Sequence, residues 1–332
     1  MFNGYTIHDV AALSGVSIAT VSRVLNSSAK VRESTRDAVL SAVQTLEDKH
    51  NNTVISAVRK PKDKIILACF PELRNPFYAN VFKGISEVAA AHDYKVLFYQ
   101  NENFASKEYY SFLLNSGSFS GLIIGHAVPD SSVLDLLAQK TPVVMCAEHN
   151  ASDTTPFVAI DDFKAASTAM NFLIATGRRK IALINSSLRN NYATHRERAY
   201  YYCMNQHGLE VNPDWVVHLS DVNYALGLTA VNHILRSADR PDALFCVSDV
   251  YAAAAINSAT QLGIRVPQDV AVFGFDNTDI STMTIPPITT ISQPTYELGA
   301  QACNILIEQI EYPGFAPKQV ILETELILRG ST

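Results

Sequence analysis

Five side chains close to the N-terminus carry the clearest chemical signal. Between positions 17 and 26 the chain places Ser17, Thr20, Ser22, Arg23 and Asn26 on one side of a short amphipathic segment, opposite Val21, Val24 and Leu25. Short hydroxyl and amide groups with a single guanidinium are the types that meet phosphate oxygens and base edges. A helix that faces only solvent usually carries Glu and Lys there instead. Just upstream, Ile7, Val10 and Ala11 recur at helical spacing, with Thr6 and Asp9 three residues apart as a near capping box. Ser17 can cap the second segment, and Gly15 supplies the freedom that a sharp turn between the two needs. An ordinary αα-hairpin has the same caps and glycine. The polar face of the second helix is what favours a helix-turn-helix that reads DNA.

A second set of chemistry-bearing residues lies far along the chain. Ser248-Asp249 and Phe275-Asp276-Asn277 end consecutive apolar strands, so both aspartates are expected at one cleft mouth. Carboxylates there can accept hydrogen bonds from vicinal hydroxyls, which suits sugars and ribose. Either could equally cap the helix that follows. Asn75-Pro76-Phe77-Tyr78 opens a helix after a strand, as a cap with core aromatics or as two rings for a ligand to stack on. Arg196 and Arg198 flank Glu197, so a surface ion pair is the plain reading for either arginine. Asp161 and Asp162 follow a strand and can cap the next helix.

Enzymatic patterns are missing from these residues. Gly117-Ser118-Phe119-Ser120-Gly121 has the spacing of a nucleophile elbow, but Phe119 stands where the serine must be. There is no phosphate-binding glycine loop after a strand, and the nine histidines show no metal-ligand spacing. No catalytic residue, cofactor or metal is expected.

The positioning elements follow from hydrophobic periodicity. A third helix is expected from about Glu33 to Asp48, and farther on the polar, basic, Pro-interrupted run Arg59–Lys64 reads as a linker. From Ile65 onward, short apolar runs alternate with helical segments. In the first half, strands are expected at Ile65–Phe70, Lys95–Tyr99, Gly121–Gly125 and Pro142–Cys146. Helices near Phe77–His92, Ser106–Leu114 and Ser131–Ala138 separate them. A second series begins with a strand at Phe157–Ile160 and a helix at Lys164–Thr176, and continues with strands at Lys180–Ile184, Val216–Leu219, Ala243–Val247 and Val270–Phe275. Between those strands stand helices near Thr194–His207, Ala225–Arg236 and Val250–Leu262. Thr289–Ser292, a helix at Tyr296–Glu311, and strands near Gln319–Leu322 and Leu326–Leu328 close the chain. The fold class is therefore α/β: an all-α headpiece, then two doubly wound parallel sheets in tandem with a cleft between them.

Charge is divided along the chain in the same way. The net charge is −6 over 332 residues, but residues 1–64 hold nine basic against six acidic groups while the rest hold seventeen against twenty-six. A mildly basic unit on an acidic body suits a DNA-facing headpiece. The five scattered cysteines read as buried thiols of a reducing compartment, and no secretory leader or membrane span is expected.

The wording of the headpiece goes further than its composition. Ile7-His8-Asp9-Val10-Ala11 followed by Val16-Ser17-x-x-Thr20-Val21-Ser22-Arg23-Val24-Leu25-Asn26 closely resembles the LacI family of bacterial repressors. Val144-Met145-Cys146-Ala147-Glu148, the turn Ser292-Gln293-Pro294 and the ending Leu328-Arg329-Gly330-Ser331-Thr332 are most similar to its cytidine-repressor branch. The resemblance implies a cytoplasmic, nucleoid-associated regulator with a headpiece at 1–50, a hinge at 51–63 and an effector-binding and dimerisation domain at 64–332. That domain would hold one lobe at about 64–160 plus 293–322 and another at about 161–291 plus 323–330, with crossings near Asp161, Ser292 and Glu323. It also implies a periplasmic-binding-protein-like body, a homodimer or a higher assembly, double-stranded operator DNA, and a sugar or nucleoside effector.

Residue by residue, the resemblance places Ile18 and Ala19 at the base-reading positions. Both are small and apolar, suited to a thymine methyl, which leaves Arg23 as the guanine reader. The full DNA-facing set is Thr6, Ser17, Ile18, Ala19, Thr20, Ser22, Arg23, Asn26, Lys30, Thr35 and Val58. The hinge departs from the family pattern. Glu47-Asp48-Lys49-His50-Asn51 replaces Gly-Tyr-x-Pro-Asn, and the minor-groove Leu falls on Ala57 or Val58. The effector set is Asn75, Phe77, Tyr78, His126, Asp161, Arg196, Val222, Tyr224, Asp249 and Asp276. Val222 stands where purine-binding members stack a Phe, and Tyr224 is near enough to substitute. A sugar-binding module without DNA, or a sugar-processing α/β enzyme with a regulatory headpiece, are the alternatives. The first lacks a reason for the helix-turn-helix, and the second lacks a phosphate loop.

Overall fold

The computed structural model describes residues 7–25, 32, 34–43, 45, 64–100, 119–128, 131–149, 155–312 and 317–332. Thr6, Asn26, Lys30, Val58, the hinge at 51–63 and the helix expected at Ser106–Leu114 lie outside them. The chain divides into two compact units, Met1–Asp63 and Lys64–Thr332.

In the first unit, helices Ile7–Ser14 and Ile18–Leu25 flank a turn in which Gly15 takes φ +68°. That value costs an L side chain strain and glycine none. The Ser17 hydroxyl accepts a hydrogen bond from the Thr20 amide at 3.3 Å, so it caps the second helix as its position predicts. Residues 34–43 form a third helix. Val10, Val21, Val24, Val39 and Ala42 make the core, with Ala11, Val16 and Val43 packed against it. These residues come from all three helices at spacings of three and four, so one small apolar cluster holds the unit together.

The second unit contains two six-stranded sheets. The first has the order β11-β5-β4-β3-β1-β2, where β1 is Ile65–Phe70, β2 Lys95–Gln100, β3 Gly121–Ile124, β4 Val143–Cys146, β5 Phe157–Ile160 and β11 Gln319–Leu322. Every described pairing in it is parallel. The second has the order β12-β10-β9-β8-β6-β7, with β6 Ile181–Ser186, β7 Val216–Leu219, β8 Ala243–Cys246, β9 Ala271–Asp276, β10 Thr289–Ser292 and β12 Glu325–Ile327. Here β12 pairs antiparallel with β10 while the other pairs are parallel. The direction follows from the path: β10 leads the chain out of this lobe, and β12 leads it back in. β3, β4, β5, β6, β8 and β9 are buried along their whole length. Helices cover both faces of such sheets, so their strands read as continuous apolar runs rather than alternating ones.

The chain passes between the lobes three times: from β5 into helix Asp162–Ala175, from β10 into helix Thr295–Glu311, and from β11 to β12. The second crossing is anchored by close helix packing. A Cβ on Gly299 would sit 2.0 Å from the Val81 carbonyl oxygen, and one on Gly84 would sit 2.2 Å from that of Tyr296. Helices Phe77–Ala91 and Thr295–Glu311 thus touch backbone to backbone at two glycines. All five cysteines are buried and unpaired.

Three helices begin one or two residues earlier than periodicity predicts, because capping groups precede the apolar pattern. Asp161 accepts from the Lys164 amide, Ser248 from Val250, and Asn223 from Ala225 and Leu226. A cap satisfies amides that have no partner inside the helix, so it sets the first turn ahead of the first core residue.

Candidate ligand cleft and DNA-facing helix

A cleft of about 660 Å³ opens between the two lobes. It lies beyond the carboxyl ends of the strands, where open α/β sheets bind ligands. One wall comes from Asn75, Tyr78, Gln100, His126 and Glu148, the other from Ser186, Arg189, Tyr192, Asp221 and Val222. It continues into a smaller chamber bounded by Phe77, Ala147, Glu148, Tyr192, Arg196, Val222, Val247, Ser248, Asp276 and Gln293.

The two aromatics after β1 stand at the boundary. Asn75 caps their helix by accepting from the Phe77 amide at 3.1 Å. The rings of Phe77 and Tyr78 lie edge to face at 5.1 Å, and the Tyr78 hydroxyl is donated to the Gly125 carbonyl. Both rings line the inner chamber, with Tyr78 stacked on Phe82 behind it. His126 is buried beside them, and burial pushes its imidazole down to about 3, so it enters the cleft neutral.

Arg196 sits on helix Asn191–Gln206 and is buried. Its Nε and Nη2 donate to Asp162 Oδ1 at 2.8 and 2.7 Å, and its Nη1 donates to the Val247 carbonyl at 2.8 Å. The guanidinium lies 3.6 Å from the Phe275 ring centroid. Glu197, the partner that neighbourhood in sequence suggests, turns instead to Asn185 and His218. Arg198 lies over Phe163. Arg196 thus faces the chamber and Arg198 does not.

Asp276 ends β9 with φ +107°, and Asn277 follows at +56°. Non-glycine residues hold such angles only where their surroundings impose them. Gln293 supplies part of that constraint, donating to Asp276 Oδ1 at 2.8 Å, while Arg329 donates to Asn277 Oδ1 at 2.7 Å. Burial pushes the Asp276 carboxyl up to about 8, with Arg196 opposing and Asp249 adding to the rise. The guanidinium is 3.9 Å from Asp276, too far to offset the loss of water. Glu148 is raised to about 8 in the same way, by burial and then by Asp162.

Three effector residues expected from the sequence are placed elsewhere. Asp161 is exposed, and its carboxylate is taken up in capping helix Asp162–Ala175; its neighbour Asp162 turns inward to Arg196. Asp249 is fully buried and faces its own lobe, accepting from Thr290 Oγ1 and the Thr278 amide at 2.7 Å each. Gly274 makes room for it, since a Cβ there would sit 2.4 Å from Asp249 Oδ1. Tyr224 begins helix Tyr224–Arg236 and points its hydroxyl at Asn257, outside the cleft lining. The cap residue Asn223 turns the chain before it, so Val222 and Asn223 line the cleft and Tyr224 does not. Asn75, Phe77, Tyr78, His126, Arg196, Val222 and Asp276 are brought together.

Glu148, Tyr192, Ser248 and Gln293 also line the chamber, and residue types alone did not single them out. Ser248 and Gln293 adjoin positions that did stand out. Tyr192 lies one helical turn before Arg196, a spacing that puts the two on one face. Among the described residues no group of histidine, cysteine and acidic side chains could hold a metal ion. None of the described helices is long and apolar enough to cross a membrane.

On the headpiece, Arg23 and Ala19 are exposed, Ile18 is 41% exposed, and Thr20, Ser22 and Thr35 are half-buried. The Ser17 and Thr20 hydroxyls are 2.9 Å apart. Ala19, Ser22 and Arg23 share the face of helix Ile18–Leu25 opposite Val21 and Val24, and Thr35 lies on the third helix.

Known proteins align with this geometry along nearly its full length. Residues 6–51 match the model for bacterial regulatory proteins of the lacI family, and residues 170–332 match the periplasmic binding protein-like domain. The HTH-type transcriptional repressor CytR of Escherichia coli (strain K12) is 31% identical over 98% of this chain and 96% of its own. The chain belongs to the LacI family. Catabolite control protein A of Priestia megaterium is 32% identical, covering 98% of this chain and 99% of that protein. Among solved structures, the transcriptional regulator CelR in complex with cellobiose superposes with a TM-score of 0.73 at 27% identity, covering 99% of this chain and all of that one. LacI-family members are DNA-binding transcriptional regulators and not enzymes, and so is this chain.

Proposed function

We propose that the protein is a ligand-responsive repressor of an operon for uptake or breakdown of a carbohydrate or nucleoside. It binds a near-palindromic operator as a dimer. The observation that supports this best is the cleft itself. It is lined by both lobes, the chain crosses three times beside it, and it carries aromatic faces, carboxyls and one buried arginine. A ligand held by both lobes favours a closed arrangement, and only that differential affinity is needed to move the equilibrium. Closure displaces the first lobes of a dimer against one another, and with them the segment at 51–63 and the headpieces.

On DNA, helix Ile18–Leu25 enters the major groove, Arg23 reads guanine, Ile18 and Ala19 meet thymine methyl groups, and the hydroxyls of Ser17, Thr20 and Ser22 hold phosphates. A titration by fluorescence anisotropy, using DNA from the region upstream of the gene cut down to the shortest duplex that binds, tests this reading. One dimer is expected per pair of half-sites. Inserting five base pairs between the half-sites turns them to opposite faces and is expected to weaken binding at least about tenfold. Binding that ignores the spacing contradicts a dimer docked on two grooves.

A further inference from the structure

One lobe caps a helix of the other. Helix Asn191–Gln206 of the second lobe starts without a side-chain cap of its own, since Asn190 turns its side-chain amide to the Tyr192 hydroxyl instead. Its cap comes from Glu148, which follows β4 in the first lobe. The amides of Asn191 and Tyr192 both point at that carboxyl, with the Tyr192 nitrogen 3.5 Å from Oε1. Beside it the Asn191 side chain donates to the His149 carbonyl at 2.7 Å, and the His195 ring stands edge-on to His149 at 6.3 Å. First-turn amides have no partner inside their own helix, so this cap satisfies donors that parting of the lobes returns to water. The second oxygen, Oε2, is buried and meets no hydrogen-bond partner among the described residues.

We infer that Glu148 is a positioning residue of the regulatory motion: it holds the first lobe against the first turn of helix Asn191–Gln206, and does so as a neutral carboxyl. The inference rests on lobe closure being that motion. Capping through Oε1 needs only a carbonyl oxygen, which the protonated acid keeps. Ionisation puts charge on a buried Oε2 that has no donor, and Asp162 nearby adds repulsion. Burial and then Asp162 hold the carboxyl up at about 8, against the pull of the two amides and Arg196. Once the lobes part and water reaches it, that value falls towards the ordinary carboxylate range. Closure therefore takes up a proton. The arrangement seen here loses ground to an opened one as pH rises from the ordinary carboxylate range to about 8, and the loss is complete above it.

The neighbouring groups leave this proton to Glu148. Arg196 stays charged. Burial holds Tyr78 above its usual range and Tyr192 up at about 12, and pushes His126 down to about 3. Burial, then His195, also lowers His149. Asp276, raised to about 8 across the chamber, is the competing source of a proton.

Pulsed electron paramagnetic resonance on the full-length protein tests this without a ligand. Spin labels go on Leu73→Cys and Leu188→Cys, exposed positions that flank cleft-lining residues of opposite lobes, while the five native cysteines are buried. Labelled chains are diluted into unlabelled ones, so that the distance within one chain is read. The ratio of short- to long-distance populations is expected to fall at least about tenfold from about pH 6.5 to about pH 8.5, since one linked proton gives up to about tenfold per unit. Glu148→Gln keeps the capping oxygen and cannot ionise, so its ratio is expected to change less than about threefold. Glu148→Leu removes the cap, and the long distance is expected to dominate at both pH values. Should Glu148→Leu fail to fold in a thermal melt, Glu148→Gln alone decides. The inference is overturned if the labelled parent ignores pH, or if its response survives Glu148→Gln. A response lost in Asp276→Asn instead assigns the proton there. Operator affinity of the parent relative to Glu148→Gln, at the same pH values, tells the two failures apart. Distances that follow pH through Glu148 while that relative affinity stays fixed overturn closure as the regulatory motion and leave the cap standing.

Discussion

Arg196→Met is expected to destabilise the 64–332 unit by about 3–5 kcal/mol, the range seen when one partner of a buried ion pair is removed. The side chains of Arg196 and Asp162 are only 5% and 7% exposed. Met fills the space between Phe275 and Tyr192 but leaves Asp162 without either of its bonds from Nε and Nη2, and the Val247 carbonyl without its donor. Asp276 loses the one cation that lies within 4.0 Å of it among the described residues as well. Urea unfolding of the full-length chain measures the loss. Adding Asp162→Asn is expected to return a substantial part, because the uncompensated charge is what costs most, and a double-mutant cycle reads that coupling directly. A loss below about 1 kcal/mol would show that the pair is solvated and not sealed in the lobe.

Arg23→Ala is expected to weaken operator binding at least about thirtyfold while leaving stability within about 0.5 kcal/mol. A base-reading arginine is worth about 1–3 kcal/mol, and a dimer loses two of them. Arg23 is exposed on helix Ile18–Leu25 and takes no part in the core of Val10, Val21, Val24, Val39 and Ala42, so the fold does not depend on it. Anisotropy on the operator, beside a chemical unfolding curve, separates the two effects. If Arg23 only holds a phosphate, affinity falls equally on specific and non-specific duplexes.

The two units and the alternation of strands and helices were readable because they depend on local patterns: caps, apolar runs and a glycine turn. The headpiece core follows the i, i+3, i+4 spacing of its valines. The site was readable only in part. Asn75, Phe77, Val222 and Asp276 follow strand ends, which the fold aims at the cleft, so position along the chain located them. Asp249 also follows a strand end, yet Thr278 and Thr290 draw its carboxylate back into the lobe. Those partners lie 29 and 41 residues away, and no local pattern reveals them. Asp161 and Asp162 show the same limit at one-residue resolution. Which of two adjacent carboxylates caps the helix and which meets Arg196 depends on the phase of helix Asp162–Ala175, set by its packing against helix Asn191–Gln206 in the second lobe. Glu148 was visible only as wording shared with one branch of the family, because a buried acceptor without a partner is a property of the assembled cleft.

The central claim is that the cleft and the DNA-reading helix are thermodynamically linked. The direct test measures operator affinity with and without a cleft ligand, in the wild-type chain and in Asp276→Asn. Linkage predicts a change of about 5- to 150-fold in the wild type, with the operator altering ligand affinity by the same factor. Asp276→Asn is expected to bind operator normally and to lose most of that response. A ligand that saturates the wild-type cleft and leaves operator affinity unchanged would contradict the account.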